Sequence, residues 1–184
     1  MAKVKASAVL SRLQYATAHH GAEGASKLLA ALPAESRALI STSDAHAWLP
    51  LEVFIQVNVE ADRLWGNGDL SLCYEMGKFG AEANLPTLYR IFYRIGSPMF
   101  ILSKAARLWE VHYDSGHLLP IQESPSVIRL KISGFSHPHR AHCLSVLGWA
   151  SRSVELTGAH LLDSHEQRCR LRGDPACELV IAWR

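Results

Sequence analysis

The sequence predicts an α+β fold in which helices pack on an antiparallel sheet made of two hairpins. Three observations carry this expectation. Apolar residues recur at three- to four-residue steps through the first two-thirds of the chain, a period of two sets in at "SVIRLKIS", and the same alternation returns in the closing "CELVIAW". The 184 residues, 48% hydrophobic and 20% charged, suffice for a buried core. We expect one domain over 1–184, helical over about 1–115 and hairpin, helix, hairpin over about 116–184.

The opening "MAKVKASAVLSRLQYATAHHG" lacks acids until Glu23, as an organellar transit peptide does, but Val9, Leu13 and Ala16/Ala17 recur at helical spacing and mark an ordinary first helix. In "WLPLEVFIQVNVEADRLWGNG", Pro50 opens a helix whose Phe54, Val57, Ala61 and Leu64 form a stripe, and Gly66 stops it. Asp69 reads as the N-cap of "LSLCYEMGKFGAEA", with Leu72, Cys73, Met76 and Phe79 on one face, so Cys73 is a small buried hydrophobe. "TLYRIFYRIG" supplies a short helix after Pro86, and Ser97-Pro98 caps a longer one carrying Leu102, Ala105, Ala106 and Trp109.

In "SVIRLKIS", Ile128, Leu130 and Ile132 alternate with Arg129 and Lys131, with "HLLPIQ" as hairpin partner. A helix follows from Ser136 or His137 to near Gly158, striped by Leu144, Leu147, Ala150 and Val154. "HLLDSHEQRC" then pairs with "CELVIAW" across "RGDP". Trp183 and its neighbours leave the outer sheet face few polar side chains, so a second copy of the chain is the expected cover.

Several function classes are excluded. Net charge is 19 minus 17, or +2, with no basic run, which leaves no electrostatic footprint for nucleic acid or acidic lipid. No apolar stretch reaches the roughly 20 residues of a bilayer span, and a cytoplasmic location is expected. Asp163, Ser164 and His165 stand side by side, whereas a catalytic triad is assembled from separated segments; neither Gly-x-Ser-x-Gly nor Gly-x-Gly-x-x-Gly occurs. We therefore expect no enzyme. The Arg172–Asp174 "RGD" is a turn.

Cys169 and Cys177 flank a tight turn, and Cys143 lies early in the preceding helix, where amide dipoles favour a thiolate. Three thiolates and a fourth ligand, Glu166 or one of His137, His139, His142 and His165, would make a soft tetrahedral site. Glu166 and Cys169 are three apart and need a bulge or an early turn to face one side. On spacing alone, a metal site and buried free thiols both stand.

"LGWASRSVELTGAHLLDSHEQRCRLRGDPACELVI" resembles the C-terminal part of the 4-vinyl reductase domain, with roughly residues 98–184 carrying the likeness. "WLPLEVFIQVNVEADRLWGNGDLSLCYEMGKFGAE" and "YRIFYRIGSPMFILSKAARLWEVHYDSG" look like stretches of uncharacterised bacterial members of the same superfamily. That superfamily, the ligand-binding domain in NO signalling and Golgi transport, also holds the small subunits of the TRAPP tethering complex and the sensor domains of phenol- and xylene-responsive activators. The resemblance implies a 4-vinyl-reductase-like, TRAPP-subunit-like α+β domain that dimerises and encloses an apolar pocket. It also implies a structural zinc ion on Cys143, Glu166, Cys169 and Cys177, which follow the sensors' pattern in order. The His/Trp pair that grips phenol has no matching position, Trp109 and His112 being only nearby, so the phenol does not transfer.

The expected function is a non-enzymatic sensor or adaptor that binds a small apolar or aromatic molecule or an acyl chain, with Tyr89, Tyr93, Trp109, His112 and Tyr113 lining the pocket. It would act as a homodimer, with a partner protein as a further possibility. The alternative is a protein-interaction scaffold subunit with a filled core and no ligand.

Overall fold

The computed structural model describes residues 2–83, 96–135 and 138–184. The expected "TLYRIFYRIG" helix, with Tyr89 and Tyr93, lies outside them, as do Ser136 and His137.

Five helices come first: α1 (Ala6–His20), α2 (Gly24–Ala31), α3 (Ala34–Ser41), α4 (Leu51–Trp65) and α5 (Ser71–Ala83). They bury most of the expected stripes, with Val9, Ala16, Phe54, Val57, Ala61, Cys73 and Met76 all in the core, but Leu64, expected on the α4 stripe, is exposed. Two short strands absent from the expectation, β1 (Lys3–Lys5) and β2 (Trp48–Pro50), pair antiparallel ahead of α1 and α4. Three-residue strands carry too little alternation to be read from pattern.

The cap of α5 differs from the expected Asp69. Asp69 Oδ1 accepts from the Ser71 N–H at 2.9 Å, but buried Asp62, on α4, accepts from the Leu70 and Leu72 N–H groups at 3.0 and 3.1 Å. Leu70 sits between them at φ +70°, a strained position for a branched residue that the Asp62 bridge holds. The expected long helix after Ser97 is two helices, α6 (Pro98–Ser103) and α7 (Ala105–His112), meeting at Lys104. Ser97 caps α6 as expected, its hydroxyl accepting from the Phe100 N–H at 3.2 Å.

The sheet has the order β3-β4-β6-β5 and is antiparallel throughout: β3 (His117–Ser124), β4 (Val127–Ser133), β5 (Leu161–Arg168) and β6 (Cys177–Trp183). Helix α8 (Arg140–Leu156) connects the two hairpins. Ile128, Leu130 and Ile132 register against Ile181, Leu179 and Cys177 and bury toward the helices. The expected bulge falls between Glu166 and Arg168.

The outer face is not short of polar groups. Buried Glu178 lies between Arg129 at 3.2 Å and Arg168 at 3.7 Å, and Arg129 also reaches Glu123. The outer face thus carries a charged network that the expectation of few polar side chains did not include.

Helices α5 and α8 approach closely because glycines face backbone at the crossing. A Cβ on Gly148 would stand 1.9 Å from the Tyr74 carbonyl oxygen, and one on Gly77 2.1 Å from that of Ser145. No helix among the described residues is long and apolar enough to cross a membrane.

Candidate functional site

A cavity of about 340 Å³ opens where α1, α4, α5, α7 and α8 converge above Leu118 of β3. Its wall is small on one side, with Gly77, Gly80 and Ala81 from α5 and Ala105 from α7, and aromatic on the other, with Trp109, Tyr113 and Trp149. The aromatic rings offer flat apolar surface to an occupant.

Helix α7 and the residue after it supply Trp109 and Tyr113, and α8 supplies Trp149. Trp109 stacks on Tyr113 at 4.3 Å, and its indole N–H donates to the Ser115 carbonyl at 3.2 Å. Burial raises the Tyr113 phenol above its ordinary range. His112 is half-buried, with Nδ1 2.9 Å from the Leu108 carbonyl, which leaves Nε2 as the other ring atom. Trp109, His112 and Tyr113, three of the five expected ligand-contacting residues, thus share one wall.

Pattern reading missed two other features. Arg12 is buried on α1 and lines the cavity. Its Nε–H donates to Asn58 Oδ1 at 3.1 Å, Nη1 to Ser11 Oγ and the Met76 carbonyl at 3.0 Å each, and Nη2 to Ser145 Oγ. The readable signal was a charge at position 12 on the stripe of Val9 and Ala16. The other is the setting of His142 on α8, expected only as a possible metal ligand but ringed by Phe135, Tyr113, Trp109 and Phe54 at 5.1, 5.2, 5.5 and 6.2 Å. Its Nε2 is buried with no partner among the described residues. Burial, then nearby Arg12 and His139, pulls its pKa down to about 3, so the ring is neutral at physiological pH.

The cysteine corner lies elsewhere, where β5, β6 and the start of α8 meet, and it corrects the zinc expectation. Cys143, Cys169 and Cys177 are buried free thiols. Among the described residues no three His, Cys, Asp or Glu side chains are placed to hold a metal. The groups have other partners. Cys143 donates to Cys177; this bond and burial drive the Cys143 thiol up, while the same bond pulls Cys177 down to about 6 against its own burial. Cys177 Sγ also accepts from the Arg170 N–H at 3.5 Å, Asp174 accepts from the Cys169 N–H at 2.9 Å, and Glu166 pairs with Arg172 at 3.3 Å. His139 caps α8, its Nδ1 accepting from the Ala141 N–H at 3.2 Å, and His165 pairs with Asp163 at 2.7 Å. A Gly173 in the left-handed region, φ +90°, closes the turn between β5 and β6.

No family model and no curated protein matches the sequence. Solved structures do match over nearly the whole chain. An H-NOX protein from S. oneidensis in its Fe(II)NO ligation state has a TM-score of 0.73 at 11% identity, with 98% of this chain and 99% of that one covered. The fold is that of an H-NOX domain. Fe(II) unliganded H-NOX from K. algicida gives 0.72 at 9% identity over 98% and 96% of the two chains, and an oxygen-binding H-NOX domain related to soluble guanylate cyclases gives 0.64 at 10% over 98% and 95%.

This overturns the assignment to the 4-vinyl reductase domain and TRAPP small subunits. That reading rested on residues 98–184, whose turn and strand signals dictate a local hairpin without dictating how the N-terminal helices stack above it. The H-NOX likeness includes those helices, and the iron-bearing neighbours give zinc no support.

Proposed function

We propose that this chain is a non-enzymatic sensor domain that uses the H-NOX scaffold to bind a small molecule in the cavity between α1, α5, α7 and α8. The observation that carries the reading is the cavity itself: about 340 Å³, lined on one side by the small residues Gly77, Gly80, Ala81 and Ala105 and faced by Trp109, His112 and Tyr113. A packed core has few voids larger than a water molecule, so a scaffold with a filled interior would not leave this one.

The H-NOX fold implies haem and a gaseous ligand. The chemistry for one iron ligand is present: His112 has Nδ1 against a backbone carbonyl, the arrangement that frees Nε2 for a metal. The space is not. Pockets for drug-sized molecules run from roughly 300 to 1,000 Å³, and about 340 Å³ is at the bottom of that range, too small for a tetrapyrrole with its side groups. His112, half-exposed on the last turn of α7, stands at the rim, while Ala105 offers no donor inside. The residues do not fit haem, and the occupant in this reading is an organic molecule bound directly.

Ala105→Phe tests the cavity. The added ring should fill the space and abolish the thermal stabilisation that a binding compound confers on the parent protein, which by mass action is about 2.7 kcal/mol at a hundredfold excess over Kd. A melting-temperature screen of small apolar compounds finds the binder. Unchanged stabilisation in Ala105→Phe would place binding elsewhere.

A further inference from the structure

Arg12 carries a charge that the chain does not neutralise. All 17 Asp and Glu residues lie within the described part of the chain, and Arg12 forms an ion pair with none of them. Its hydrogen-bond acceptors are an amide, two hydroxyls and a carbonyl, which occupy four of its five N–H groups. It is 4% exposed, and its guanidinium lies 5.0 Å from the Phe54 ring.

A buried charge without a partner of opposite sign is costly, and an apolar residue of similar volume would fill the same space without that cost. The surroundings nevertheless hold the guanidinium in place. Asn58 is itself fixed, its amide donating to the Phe54 carbonyl at 2.7 Å, and Gly80 leaves room where a Cβ would stand 2.9 Å from Nη1. A cation fixed by neutral dipoles at the wall of an apolar cavity is the arrangement that reads an anionic group.

Resting on the pocket reading above, we infer that the occupant is an apolar molecule bearing one carboxylate, and that Arg12 binds the carboxylate while Trp109, Trp149 and Val146 receive the apolar body. Burial lowers the Arg12 pKa only to about 10, so the group is cationic throughout the neutral range. The carboxylate supplies the missing counter-charge in a site where water competes weakly. The ligand therefore differs from a gas or a neutral aromatic in needing a charged end.

Two matched probe pairs test this at pH 7.5 by calorimetry on the full chain: decanoate against decan-1-ol, and 1-naphthoate against 1-naphthalenemethanol. At least one carboxylate should bind ten-fold or more tightly than its alcohol. That preference should vanish in Arg12→Met and survive in part in Arg12→Lys, with far-UV circular dichroism confirming that both variants fold. The parent comparison decides the matter even where a variant fails to fold. Equal binding of acid and alcohol, or a preference that persists in folded Arg12→Met, overturns the inference and leaves the pocket reading standing. No binding by any of the four probes overturns the inference and counts against the pocket as well.

Discussion

Two buried nitrogen groups, set close together, determine what the interior tolerates. Arg12 stays charged and His142 stays neutral, because burial disfavours the imidazolium and the neighbouring guanidinium repels it. The consequence for stability has a definite sign. His142 takes up its proton near pH 6.5 when unfolded but only near 3 when folded. Between those values the unfolded state binds more protons, so stability falls as pH drops through that window. From pH 7 to pH 5 the loss should be about 2 kcal/mol. Urea unfolding at both pH values checks it, and His142→Phe should flatten the dependence; an equal slope in that variant would show that other groups cause it. At this scale the sequence was partly legible. Trp109, His112 and Tyr113, expected as pocket-lining residues, do line the cavity, whereas Arg12 was missed because stripe reading scores apolar positions and passes over a cation set among them.

The elements that matter most for the cavity are α5 and α8. Their crossing depends on glycines that a helix would otherwise avoid, since glycine weakens helices relative to alanine. Gly148→Ala would place a methyl 1.9 Å from the Tyr74 carbonyl oxygen, too close for a local adjustment, so the helices must separate. We expect a loss of roughly 1–3 kcal/mol or more, measured by chemical unfolding, together with weakened probe binding because both helices line the cavity. Alanine is the better helix former, so a stabilised Gly148→Ala would refute the close crossing. Helices α4, α5 and α8 and both hairpins were legible because their stripes and alternations are long. β1 and β2 were not, being three residues each, and the break at Lys104 was not, because the stripe from Leu102 to Trp109 runs on across it.

For the whole molecule, the same residues that predicted two hairpins also suggested a family, and that inference went too far. Cysteines flanking a Gly-Asp turn are compatible with a metal corner, but the chain resolves them as a thiol pair, a capped turn and an Arg172–Glu166 ion pair. The arrangement of the N-terminal helices over the sheet, long-range information that local periodicity does not hold, matches H-NOX domains across 98% of the chain. A shared scaffold does not carry a shared cofactor with it, and here the cavity volume and the buried unpaired Arg12 argue for an organic acid in place of a macrocycle. The most direct test is a haemin titration of the purified chain, followed by absorption in the Soret region. The account predicts no saturable one-to-one complex. A stoichiometric complex whose Soret band shifts on reduction and is lost in His112→Ala would contradict it, showing that the pocket opens to hold haem.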